Sequence, residues 1–191
     1  FREQHSYVTE LVIDMCETRQ DCFYIMDNVV FPASNQTVGL IDAAVNDVST
    51  IDSSYVATYY PWVKILDTNL NKIISVPPSV VMPSVYAAND NAAAEWFAPA
   101  GLNRGGIAQA VQVLDRTTHS ERDTLYEGRV NPIAAFPGQG ICVWGQKTLQ
   151  IQPSALDRVN VRRLLIALKK FIASSSKFLV FEQNVAATRN R

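Results

Sequence analysis

The residues best suited to acid–base chemistry lie together in one short stretch. His119 stands beside Ser120, with Asp123 four positions further on, which are the residue types of a hydrolytic triad. Triad partners converge from separate segments, and neighbours on one helix point in different directions. Thr118 and Glu121 instead have the spacing of a capping box at a helix start. The stretch therefore predicts a capped surface helix, and we predict no catalytic residue.

Two glycine-rich stretches could hold a phosphate or a nucleotide. The G-x-G of "FPGQGICV" is followed by a strand-like run, and Val143 occupies the position of the third glycine in a dinucleotide fingerprint. We therefore predict a hairpin turn at Gly138–Gly140. The loop 98–106, "APAGLNRGG", lacks the Lys-Ser/Thr of a phosphate loop. It remains the basis of one alternative, an α/β domain that binds a nucleotide or another small ligand through this loop.

The cysteines and the composition exclude several classes of function. Cys16, Cys22 and Cys142 form no C-x-x-C pair and are odd in number, which indicates free thiols in a reducing compartment and neither a metal site nor a disulfide. We predict no cofactor. The net charge of −1 disfavours nucleic acid, and no apolar run is long enough to span a membrane. Only 18% of residues are charged, which favours burial of surface against protein partners.

Helical and strand-like segments alternate along the chain. They predict one layered α/β domain over residues 1–191, with a mixed β-sheet flanked by helices. The two ends are both expected to be truncated, since the first residue is Phe and the last run is polar. The first predicted segments are a helix with the stripe Val8, Leu11, Val12 and Met15, a strand at 22–27, and a helix capped by Ser34 with Ile41, Ala44, Val45 and Val48 on one face. They are followed by a long strand at 53–67 interrupted by Pro61, a strand at 72–77 that pairs back with it, a short helix at 79–90 and an irregular stretch at 89–116. The last predicted segments are a helix from Thr118 to Gly128, strands at 130–137 and 140–145, a long basic helix, and a strand at 177–183.

The long basic helix, within residues 154–176, has the strongest pattern in the chain. Its apolar stripe is predicted to dock on the sheet and consists of Val161, Leu164, Leu165, Leu168 and Ile172. Its basic flanks are the candidate partner-binding residues Arg158, Arg162, Arg163, Lys169 and Lys170. These flanks could form a solvated face or contact an acidic protein partner. A membrane is disfavoured because the core needs the apolar face.

The segment 95–107, "EWFAPAGLNRGGI", is a second candidate contact. Trp96 and Phe97 beside a glycine-bearing loop are unusual for a free surface segment. The loop either packs under its own domain or is buried at a subunit contact, and Trp96 and Phe97 are partner-binding candidates on the second interpretation.

Taken in order, these motifs resemble one known family. The runs "VPPS", "VYAAND", "EWFAPAGLNRGGI", "FPGQGICVWGQKTL", "RVNVRRLLIALKKFI" and "FLVFEQN" are similar to the contractile tail sheath proteins of bacteriophages and related injection machines. The resemblance covers roughly residues 4–184. The sequence departs from the family pattern at "SVVMP", where glycine is frequent, and at Lys147, where arginine is common.

The resemblance implies a structural protein and not an enzyme. Sheath subunits stack as hexameric rings around an inner tube, and contraction of the lattice drives the tube through a cell envelope. The implied partners are neighbouring sheath subunits and the tail tube protein. The implied location is the virion, after assembly in the bacterial cytoplasm. The family's flexible arms exchange strands between neighbours and are expected to be missing here. The basic helix becomes a candidate for contact with the acidic tube surface or with a neighbouring subunit.

Overall fold

A computed structural model describes residues 6–28 and 39–189 of the protein. The helices are α1 (Ser6–Arg19), α2 (Leu40–Val48), α3 (Pro78–Ala92), α4 (His119–Glu127), α5 (Val159–Ser175) and α6 (Ala186–Arg189). The strands are β1 (Tyr24–Asp27), β2 (Val56–Tyr60), β3 (Val63–Asp67), β4 (Lys72–Val76), β5 (Ala110–Val113), β6 (Val130–Phe136) and β7 (Gly140–Val143). Short 3-10 helices lie at Ala155–Asp157 and Lys177–Leu179. Within the described part of the chain, no helix is both long and apolar enough to cross a membrane.

The strands form two sheets. The larger has the order β1-β2-β6-β7, in which β1, β2 and β6 run parallel and β7 pairs antiparallel with β6. The smaller is antiparallel, with the order β4-β3-β5. The predicted α/β domain with a mixed sheet and flanking helices is confirmed. The second sheet was not predicted.

Strand β2 organises the core because all five of its residues are buried. Ala57 and Tyr59 face the cluster that contains Val81, Met82 and Val85 of α3, together with the inner face of the smaller sheet. Val56 and Tyr60 face the opposite cluster, formed with α2 and α4. Successive side chains of a strand point to opposite faces, so this apolar run supports a helical layer on each side.

The predicted single strand over 53–67 is wrong. The chain leaves the larger sheet after Tyr60, passes through a cis peptide bond to Pro61, and enters the smaller sheet at Val63. Proline has no N–H to donate to a strand ladder, which is why the strand ends there. The predicted hairpin with the next strand is confirmed, and Val63 pairs with Val76.

Local capping and turn signals predicted their elements correctly. The hydroxyl of Thr118 accepts the N–H of Glu121 at 3.3 Å, and the Glu121 carboxylate accepts the N–H of Thr118 at 2.6 Å. Gly128 is the C-cap of α4. Gly138 and Gly140 have φ angles of 74° and 87° in the turn between β6 and β7, as a turn with left-handed residues requires.

The predicted faces of the first two helices had different outcomes. In α1 the buried residues are Thr9 and Cys16, whereas Leu11 and Met15 of the predicted stripe are exposed. In α2 the predicted face is confirmed, since Ile41, Ala44 and Val48 are buried. The predicted cap at Ser34 lies outside the described residues, and the described N-cap of α2 is Gly39.

Three further segments differ from the expectations. Helix α3 is longer than predicted and includes Pro83. The stretch 89–116 contains β5, which pairs with β3. The predicted strand at 177–183 is wrong, because this segment begins with a 3-10 helix and its large apolar side chains are exposed. A strand needs a neighbouring strand to pair with, and neither sheet includes this segment.

Candidate interaction surface

The first half of α5 is packed into the domain. Its buried residues are Val159, Arg162 and Ile166, so the helix docks through a face that includes an arginine. The Arg162 guanidinium lies 4.0 Å from the centre of the Tyr55 ring and donates to the hydroxyl of Ser54. Burial lowers the pKa of Arg162. The expectation that Arg162 belongs to an outward basic flank is therefore wrong.

Arg163 also makes its contacts inside the domain. Its guanidinium donates to both carboxylate oxygens of Asp90 on α3, at 3.0 and 2.5 Å. It lies 4.5 Å from the centre of the Tyr86 ring, and the Tyr86 hydroxyl is 2.5 Å from that of Tyr59. The Arg163 side chain is only 14% exposed. The ion pair joins α5 to α3.

Arg158 precedes α5 and is held by a different cluster. It donates to the hydroxyl of Tyr126 at 2.5 Å and pairs with Asp157 at 3.2 Å. Lys147 lies 4.4 Å from the centre of the same Tyr126 ring. Burial lowers the pKa of Lys147, and the charge of Arg158 lowers it further. This cluster locks the start of α5 against α4.

Lys169 and Lys170 are the two predicted basic residues of α5 that are exposed. Lys169 donates to the side-chain oxygen of Gln20. Both line a cleft of about 410 Å³, called here the basic cleft, whose other residues are Arg19, Gln20, Asp21, Ala173, Ser174 and Lys177. Its single carboxylate, Asp21, is paired with Arg19 at 2.9 Å. The cleft thus presents an excess of positive charge to an approaching group.

The second half of α5 and the segment after it carry exposed apolar side chains. The predicted docking stripe is wrong, because none of its five residues is buried: Val161, Leu164 and Leu165 are partly exposed, and Leu168 and Ile172 are 43% and 61% exposed. With Leu168 and Ile172, the apolar ridge comprises Phe171, Phe178, Leu179, Val180 and Phe181. Large exposed apolar patches mark interaction sites in soluble proteins, so the concentration of exposed apolar side chains in residues 168–181 indicates such a site. Phe171, which the predicted stripe left out, shares the exposed side of the helix with Leu168 and Ile172.

The loop between α3 and β5 is anchored on strand β7. The Gly101 N–H donates to the carbonyl of Val143 at 2.8 Å, and the Val143 N–H donates to the carbonyl of Gly105 at 2.8 Å. A Cβ at Gly105 would lie 2.8 Å from this same Val143 oxygen, so the position needs glycine. The loop packs on its own domain, as one of the two interpretations expected.

Trp96 and Phe97, at the start of this loop, remain 56% and 39% exposed. The Trp96 carbonyl accepts a hydrogen bond from Asn160 of α5 at 3.0 Å, and Arg104 lies 4.9 Å from the centre of the Phe97 ring. The two aromatic rings are available to a partner.

Three other kinds of site were considered from the sequence: a ligand-binding loop at 98–106, a catalytic site at His119 and a metal site. The Gly101 and Gly105 N–H groups both donate to carbonyls of the chain, so they are not directed at a phosphate. His119 pairs with Asp123 at 2.9 Å on the surface of α4, as residues of a capped helix do. No group of three or more His, Cys, Asp or Glu residues that could hold a metal ion occurs within 6–28 and 39–189.

Comparison with known proteins decides the family. The sequence model described as the phage tail sheath protein central domain matches residues 2–149. This chain belongs to the phage tail sheath family. The tail sheath protein of Enterobacteria phage T4 is 33% identical over 207 residues, which cover 98% of this chain and 30% of that protein. The tail sheath protein of Vibrio phage KVP40 is 39% identical over 115 residues, or 60% of this chain and 17% of the relative.

Solved sheath structures agree with the fold. The sheath complex of an extracellular contractile injection system in the contracted state has a TM-score of 0.73 and 29% identity, covering 88% of this chain and 44% of that one. The contracted helical sheath of the anti-feeding prophage has a TM-score of 0.66 and 29% identity, covering 87% and 41%. The chain spans only part of the proteins it matches, about 30% of the length of the T4 tail sheath protein.

Proposed function

We propose that this chain is part of a structural subunit of a contractile phage tail sheath. The subunit polymerises around the tail tube and contracts to drive it through the host envelope. Membership of the tail sheath family is the observation that carries the proposal. The two solved chains described above come from sheaths in the contracted state. The subunit works in the virion after assembly in the bacterial cytoplasm, and no enzymatic step is assigned to it.

The 191 residues are proposed to be one domain of a longer subunit. The coverage of only 30% of the T4 protein supports this proposal. The remaining part of the subunit would supply the arms that join neighbours in the lattice.

The apolar ridge is the proposed contact with neighbouring sheath subunits. Burying one large apolar side chain stabilises a contact by about 1.5–3 kcal/mol, and Phe171, Ile172 and Phe178 are each more than half exposed in the single chain. Trp96 and Phe97 form a second, smaller candidate for the same kind of contact.

The basic cleft is the proposed contact with an acidic surface, either on the tail tube or on a neighbouring subunit. Of the predicted basic residues, Lys169 and Lys170 carry this role, because Arg158, Arg162 and Arg163 are engaged within the domain. Exposed ion pairs are each worth only about 0–1 kcal/mol. Contacts of that size, repeated around a ring, hold a lattice together and still release when it contracts.

The test is negative-stain electron microscopy of the full-length subunit, with and without tail tubes. The unmodified subunit is expected to form tubular polymers or to decorate tubes. The double reversal Lys169→Glu/Lys170→Glu is expected to weaken decoration while its melting temperature is unchanged. Lys72→Glu, at an exposed lysine on β4, is the matched control. A full-length protein that stays monomeric in both conditions would overturn the proposal. Full decoration by the double variant would remove only the role of the basic cleft.

A further inference from the structure

Two of the three cysteines are in contact in the folded chain. Cys16 lies in the last turn of α1, and Cys22 lies just before β1. The Cys22 thiol donates to the Cys16 sulfur, and the two sulfur atoms are 3.4 Å apart. Cys142 lies on β7.

The two thiols differ in their access to solvent. Cys16 is 2% exposed and is covered by Tyr55 and Ile166. Cys22 is half-buried and lines a cleft of about 340 Å³ whose wall includes the cations Arg163 and Lys170. Burial, together with the neighbouring Cys22, raises the pKa of Cys16 to about 12. A reagent from solution therefore reaches Cys22 first, and Cys16 reacts only with what is already attached to Cys22.

We propose that Cys16 and Cys22 form a reversible disulfide, with a small-molecule disulfide such as oxidised glutathione as the oxidant. The Cys22 thiolate attacks one sulfur of the oxidant, which forms a mixed disulfide and releases one glutathione thiolate. The Cys16 thiol then loses its proton and attacks the sulfur of Cys22, and the second glutathione leaves. The chain loses two electrons and two protons, and the oxidant becomes two molecules of glutathione.

The local geometry suits this bond. A disulfide needs a sulfur–sulfur distance of about 2.05 Å, so the two sulfur atoms must approach by about 1.4 Å. Of the residues enclosed by the bond, 17–21, the last three, Arg19, Gln20 and Asp21, form one wall of the basic cleft. Gln20 in this wall accepts a hydrogen bond from Lys169 of α5, and Arg19 pairs with Asp21. The bond would thus tether the wall of the basic cleft to the buried end of α1.

If the chain is a virion protein, as the proposed function holds, the Cys16–Cys22 pair passes from a reducing to an oxidising compartment. Thiols stay reduced in a bacterial cytoplasm, where the subunit would be made, and disulfides persist outside the cell. The chemistry itself depends only on the folded chain and is testable without any assembly.

The experiment equilibrates the folded chain in glutathione buffers of stepwise increasing oxidation. Free thiols are then alkylated, and the chain is digested with trypsin and analysed by mass spectrometry. Trypsin cuts after Arg19, between the two cysteines, so the expected product is a pair of peptides that remain joined and separate on reduction. Cys142→Ser serves as the background, so that only these two thiols are counted.

Two single variants test the order of events. Cys16→Ser is expected to leave a stable glutathione adduct on Cys22. Cys22→Ser is expected to leave Cys16 unmodified while the chain is folded, as judged by circular dichroism. The proposal is overturned if both thiols of the unmodified chain stay free in the most oxidising buffer, if Cys22 retains glutathione while Cys16 stays free, or if the joined peptides form only in urea. Failure of sheath assembly would leave these results unaffected.

Discussion

Breaking the ion pair between Arg163 and Asp90 is expected to destabilise the domain by about 3 kcal/mol. The two hydrogen bonds, at 3.0 and 2.5 Å, are charge-assisted and lie on side chains that are 14% and 27% exposed. A pair at this depth lies between a surface salt bridge of about 0–1 kcal/mol and a buried one, so we assign it a coupling of about 2 kcal/mol. The stacking of Arg163 on the Tyr86 ring adds about 1 kcal/mol.

A double-mutant cycle isolates the pair from the other contacts of either residue. Urea unfolding followed by far-UV circular dichroism would be measured for Arg163→Met, for Asp90→Asn and for the double variant. The double variant is expected to be more stable than the sum of the single losses predicts, by about 2 kcal/mol. Lys170→Met, at an exposed position two turns further along α5, is the matched control and should change the free energy of unfolding by less than about 0.5 kcal/mol.

The outcome decides between two roles for Arg163. A coupling energy below about 0.5 kcal/mol would mean that the pair is no stronger than an exposed one. The argument from burial would then fail, and Arg163 would return to the residues available for an external partner.

Two further predictions concern buried polar groups. Asn131 donates to the carbonyls of Thr58 and Lys147 at 3.0 and 2.8 Å and accepts the Lys147 N–H at 2.6 Å. Asn131→Ala should cost about 3–5 kcal/mol in urea unfolding because these buried groups lose their partner, and a loss under about 1 kcal/mol would contradict this. Burial raises the pKa of Tyr86 to about 12 and that of Tyr59 well above its usual value. Tyr86 should therefore contribute stability that is complete below about pH 10 and lost by about pH 12, up to about 3 kcal/mol. Urea midpoints across that range measure the loss, and a Tyr59→Phe/Tyr86→Phe variant should lack it.

Elements that depend on neighbouring residues could be predicted from the sequence. The capping box of Thr118 and Glu121 closes within one helical turn, and the turn at Gly138–Gly140 needs only backbone freedom at two positions. The long α5 helix was likewise evident from its spacing. The motif in this helix is one of several that, taken in order, resemble the tail sheath family, and the comparisons confirm that family.

Features that depend on distant residues could not be predicted. Arg162 is buried because Tyr55 and Ser54, more than a hundred positions earlier, supply a ring and a hydroxyl. Helical spacing shows which residues share a face but not which face the domain covers, so the stripe that ends at Leu168 and Ile172 was placed in the core although none of its residues is buried. Strand β5 has only four residues, and its pairing with β3 defines it.

The passage of the chain from β2 directly into β3 has a mechanical consequence. β2 lies between two parallel neighbours, paired with β1 from Tyr24↔Val56 and with β6 from Thr58↔Val130. A pulling force transmitted along the backbone from β3 reaches β2 at its last residue, Tyr60. Hydrogen bonds on both sides of β2 are then loaded in shear and must fail together, whereas a force across the strands would open them one at a time. Force that arrives along the backbone from β3 is therefore resisted by two strand pairings at once.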